Sequence, residues 1–115
     1  METATRLDVP FSTADAEYPA FYQARGEVRV EYKDWQENSV KLVFADAVAV
    51  KWQMAFALLA GERDDESYAI QHSDWIKKHL EQGTMTEEEH YQHFRLNFNE
   101  LGQLEVIAVS IAHQT

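Results

Sequence analysis

The chain contains no cysteine. That one absence removes disulfides, thiolate zinc sites and cysteine nucleophiles, and it fits a reducing, cytoplasmic compartment. Glycine is also scarce. The four glycines, Gly26, Gly61, Gly83 and Gly102, are scattered and fall at expected element boundaries. They form none of the clustered glycine loops that cradle phosphates. No stretch approaches the ~18–20 apolar residues of a membrane helix. The opening residues Met1–Val9 carry Glu2 and Asp8 and no apolar run, so no secretory signal is expected.

Positive charge is in short supply as well. Ten Lys and Arg face twenty Asp and Glu, a net charge of −10. Residues 1–57 hold nine acids and six bases, whereas residues 58–115 hold eleven acids and four bases. Two runs dominate the second half, Asp64-Asp65-Glu66 and Glu87-Glu88-Glu89. A field of this sign disfavours nucleic acid and anionic membranes and favours basic partners.

What is present is enough for a core. The 115 residues, 45% hydrophobic and 12% aromatic, suit one domain spanning 1–115. Pro10 and Pro19 interrupt any long helix in residues 1–24. With Phe11, Tyr18, Phe21 and Tyr22 these residues form an N-terminal arm expected to lie on the domain. From Gly26 the period is two. Val28, Val30 and Tyr32 alternate with charged residues, as do Val40, Leu42 and Phe44, and then Val48, Val50, Trp52 and Met54. Three antiparallel strands in a meander are expected. Residues 45–60 could instead be helical, but the β-branched Val48 and Val50 favour strand.

A short strand is expected over Ser67–Gln71, with Tyr68 and Ile70 inward. Ser73 then reads as a helix cap with Asp74 in the first turn, and Gly83 as the stop. Trp75, Ile76, His79 and Leu80 share one face of this helix of about two turns. Phe94, Leu96 and Phe98 alternate with His93, Arg95 and Asn97. Leu104–Ile111 is apolar on nearly both faces, which places it in the middle of a sheet or beneath a helix. The fold class expected is α+β: an antiparallel sheet of five to six strands, one short helix packed on it, and the arm.

No catalytic signature emerges. His90 and His93 form an HxxH pair beside three glutamates, but on a strand they project to opposite faces, so no metal site is expected. There is no G-x-S-x-G and no EF-hand spacing. Trp52 and Trp75 sit on apolar faces and read as core. Trp35, in the polar turn Lys33-Asp34-Trp35-Gln36-Glu37, is either an exposed interface anchor or a lid over one sheet edge.

Three phrases in order carry a resemblance: Val40–Asp46, Asp65–Ile70 running into Ser73–Ile76, and His90–Phe98 followed by Leu104–Ala108. This order resembles small acidic bacterial immunity proteins of polymorphic and contact-dependent toxin systems, over residues 27–112. The resemblance implies an antiparallel sheet with an inserted helix, and a stoichiometric inhibitor that binds its toxin.

The leading expectation is a non-catalytic protein-binding module. Trp35, Asp64, Asp65, Glu66, Glu87, Glu88 and Glu89 would share one face that docks a basic partner, with no cofactor. Two rivals stand beside it. One is a small-ligand binder or enzyme with a pocket between sheet and helix, using His72, His79 or His93. The other is a homo-oligomer joined through an apolar sheet face off the acidic side. Monomer and homodimer both remain open.

Overall fold

Apolar residues two apart put one face of a strand against a core, and that core needs a second layer to close it. The computed structural model, which describes residues 1–114, supplies a second sheet where one helix was expected to suffice. Nine strands form, β1 (Thr3–Arg6), β2 (Glu17–Ala24), β3 (Glu27–Lys33), β4 (Ser39–Ala45), β5 (Ala49–Gln53), β6 (Ser67–Gln71), β7 (Gln92–Phe98), β8 (Gly102–Ala108) and β9 (Ser110–Gln114). The single α-helix, α1, spans Asp74–Gln82. All pairings are antiparallel, in a five-stranded sheet of order β1-β6-β7-β8-β5 and a four-stranded sheet of order β2-β3-β4-β9.

The two sheets stack. Val28, Val30 and Tyr32 of β3 and Val40, Leu42 and Phe44 of β4 meet Phe94, Leu96 and Phe98 of β7 and Leu104, Val106 and Ala108 of β8 in one buried cluster. Tyr32 stands edge-on to Phe98 at 5.1 Å between ring centroids, and Phe44 lies 5.7 Å from Phe94. Burial of these side chains is the main favourable term, at roughly 25 cal/mol per Å2 of apolar surface.

The α+β class stands, but the single sheet is corrected to two. The physical reason is area: a nine-residue helix cannot cover the alternating faces of β3, β4, β7 and β8 together. The arm is corrected too. Its residues form β1 and β2, which are edge strands of different sheets. Residues 45–60 are strand and loop, not helix. At Val109 the chain leaves β8 and crosses to the other sheet as β9, so the apolar run Leu104–Ile111 is divided between the two layers.

The helix ends as its sequence suggests. The Ser73 hydroxyl accepts a hydrogen bond from the Ile76 amide (3.1 Å), and Gly83 closes the helix at φ 75°, a conformation that costs glycine least. Among the described residues no helix is long and apolar enough to cross a membrane.

Candidate functional site

Two regions concentrate polar chemistry, and they lie on different parts of the sandwich. The first is the outer face of the five-stranded sheet. Cross-strand register aligns Tyr68, Arg95, Glu105 and Lys51 in one row. The neighbouring row carries Ile70, His93 and Ile107, and the next carries Asn97 and Gln103. The sequence reading treated His93, Arg95 and Asn97 as the strand's polar side. All three are buried, because α1 and the 54–66 connection lie over them.

The buried groups satisfy one another. Glu62 reaches down from the connection; its carboxylate accepts from Arg95 (2.8 Å), Asn97 (2.7 Å) and the Leu59 amide (2.8 Å). Glu105 accepts from Arg95 Nε (2.9 Å) and His93 Nε2 (2.7 Å), and its other oxygen lies 3.4 Å from Lys51 Nζ. The other ring nitrogen of His93, Nδ1, lies 2.7 Å from the Ser73 hydroxyl, so both nitrogens are engaged. Trp75 roofs the site edge-on to His93, and Lys51 sits over its ring.

Burial by itself pushes the Glu105 carboxyl up. The His93 hydrogen bond and the Arg95 charge outweigh burial and hold it at about 2. Ser73, His93 and Glu105 have the composition of a hydrolase triad, but the Ser73 hydroxyl is buried and committed at both ends, to the helix cap and to His93. The network acts as a latch that fixes α1 and the 54–66 connection to the sheet.

A cleft of about 420 Å3 opens beside this latch between α1, β6 and β7. Of the three histidines named for a ligand, His72 and His93 line this cleft and His79 does not. His93 has both nitrogens engaged, His79 pairs with Thr84 (2.7 Å), and His72 is an exposed residue at positive φ. His90 is exposed and lies outside the strand that holds His93. Among the described residues no His, Asp and Glu group has metal-binding geometry.

The second region is one end of the sandwich. The connections 7–16, 34–38, 54–66 and 99–101 meet there. The meeting is tied by the Tyr32 hydroxyl donating to Ser12 O (2.8 Å), and by Asn99, which accepts from the Asp15 amide (2.8 Å) and donates to the Asp15 carboxylate (2.9 Å). These four connections hold nine acids (Asp8, Asp15, Asp34, Glu37, Glu62, Asp64, Asp65, Glu66 and Glu100) against one base, Arg63. All but Glu62 reach solvent at least in part.

Trp35 stands in this region, 59% exposed, on a turn that Asp34 builds by accepting from the Gln36 and Asn38 amides at 2.9 Å each. Trp35 and Asp65-Glu66 flank the same stretch, Val9, Phe11 and Ser12. Arg6 pairs with Glu66 (2.9 Å) and Arg63 with Asp65 (3.2 Å), which leaves Asp64 the outward member of its run.

Glu87, Glu88 and Glu89 do not join this end. They form a 3-10 turn after α1, beyond the far end of β6 from residues 64–66, so the two acidic runs are a strand length apart. Glu89 caps its own turn, accepting from the Thr86 amide (2.9 Å) and the Tyr91 hydroxyl (2.9 Å), and these bonds hold its carboxyl below the ordinary range. Of the residues singled out from the sequence, Trp35 and 64–66 lie at this end and 87–89 do not. Asp34 and Glu37 flank Trp35 in its own turn, whereas nothing along the chain joins Asp15 and Glu100 to them, because single acids in separate turns carry no pattern.

No protein-family model, curated protein or solved structure matches this chain.

Proposed function

We propose that this protein is a non-catalytic binding module that docks a basic protein with the acidic loop end of its sandwich. One observation carries the reading: eight acids that reach solvent, with Arg63 the one base among these four connections and Arg6 beside them, meet around an exposed tryptophan. Such a field accelerates encounter with a positive surface, and Trp35 supplies the apolar anchor that a charged rim alone lacks. A partner whose own cleft must hold phosphates, such as a nuclease toxin domain, has the complementary charge. The resemblance to small acidic immunity proteins agrees with this use. Glu87–Glu89 fall outside the docking surface.

The test is affinity capture from cells of the source organism, followed by rate measurements on the purified basic protein retained. Reversal of Asp15, Asp34, Glu37, Asp64 and Glu100 to Lys is expected to slow association by about 10-fold or more and to flatten its salt dependence. Trp35→Ala is expected to speed dissociation. Reversal of Glu87–Glu89 is expected to change little. Equal effects from reversal at both ends, or from neither, refute the proposal.

A further inference from the structure

A sheet edge leaves backbone N–H and C=O groups without partners, and folded proteins usually blunt it with shortness, proline, bulges, charge or cover. Three of the four edges here are blunted. β1 has only four residues and ends in Arg6. β2 is broken by a register shift between Glu17 and Ala20, where Pro19 sits. β9 is partly covered by the 7–16 connection, with Phe11 5.9 Å from His113.

β5 is the least protected: it is short, with five residues, but it has neither a proline nor a register shift. Its one charged side chain, Lys51, is turned across the sheet face to Glu105 and over Trp75. Around it, residues 47–60 hold no acid and only this one base, in a chain with thirty charged residues. Val48, Val50, Met54 and Leu58 are nonetheless 38–80% exposed. The adjacent edge adds Phe21, stacked 4.8 Å from Trp52, and exposed Tyr22.

We infer that β5 is a homodimer seam, pairing antiparallel with β5 of a second copy to make one continuous ten-stranded sheet. Charge selects both the occupant and the direction. A chain of −10 approaches its own copy most readily where acids are missing; the β5 and β9 edges both lack them, and β9 is the one against which the 7–16 connection packs through Phe11. Two-fold antiparallel pairing sends the two acidic ends to opposite poles of an assembly whose protomer is 41 Å long, far beyond a Debye length of ~8 Å. Parallel pairing would set them side by side. A register centred on Val50 puts Val48 across from the partner's Trp52 and Ala49 across from the partner's Lys51. Centring on Lys51 would oppose two ammonium groups, which is unfavourable. The Trp35 turn lies outside the seam.

Sedimentation velocity over roughly 2–200 µM decides the matter by mass action. The wild-type chain is expected to move from 13.3 kDa toward twice that mass. Val50→Lys is expected to weaken the dimer ~100-fold while leaving the far-UV circular dichroism unchanged, since a charge at an open strand position acts against edge pairing. Hydrogen exchange on the wild-type chain gives a reading that does not depend on a folded variant: amides of residues 49–53 are expected to gain protection with concentration. A chain that stays monomeric throughout overturns the inference. So does a dimer that forms without added protection at 49–53, or one that Tyr22→Lys dissolves and Val50→Lys does not.

Discussion

Replacing Glu105 by glutamine separates the charge of the buried latch from its shape. Arg95 keeps Glu62 at 2.8 Å in the variant, and Lys51, which loses its carboxylate, is exposed to solvent, so no buried charge is left unpaired. What disappears is the preference of the folded state for an ionised Glu105. That group drops from an ordinary 4.5 to about 2 on folding. A carboxylate depressed in this way stabilises the fold above its unfolded value and loses the contribution as pH falls through its folded value. The interval is worth about 3 kcal/mol at neutral pH, on the order of 1 kcal/mol near pH 3, and almost nothing near pH 2.

Urea unfolding followed by tryptophan fluorescence measures it, because Trp75 lies 5.2 Å from His93 and reports on the latch directly. Wild type and Glu105→Gln are expected to differ by about 3 kcal/mol at neutral pH and to converge as the solution is acidified. Glu81→Gln, on the exposed side of α1, is the control and should stay within about 0.5 kcal/mol. A gap that persists unchanged to pH ~2, or one below about 1 kcal/mol at neutral pH, refutes the claim that the sheet face selects the charged form.

Two further outcomes follow from the same geometry. Ser73→Ala removes the helix cap and leaves His93 Nδ1 buried without its partner, so a loss of about 2–3 kcal/mol in urea unfolding is expected, with Ser73→Thr recovering most of it. Gly102→Ala would drive a methyl against the Trp52 ring and to 2.7 Å from Gln53 O, so a loss of about 2 kcal/mol is expected together with a shift in Trp52 emission.

Strand positions from Glu27 to Phe44 were legible because alternation along the chain is itself the physical cause of a half-buried strand. The helix and its ends were legible for a similar reason, since Ser73 and Gly83 act on groups within a turn of themselves. The buried latch was not read, although a signal existed. Leu104–Ala108 is apolar apart from Glu105, and a strand covered on both faces requires its neighbour to be covered as well. Arg95 was therefore due to lie under something and in register with Glu105, and His93 and Asn97 with it.

Local sequence determined that the segments of β3 to β8 are strands, where α1 begins and ends, and that the chain is negative, because each depends on residues within a few positions of one another. Tertiary structure alone decided that there are two sheets, that Trp35 and residues 64–66 share an end while 87–89 do not, and that β5 is the open edge. Those facts depend on which strands pair, and pairing is set by contacts between residues far apart in the chain, which a pattern read along it does not contain.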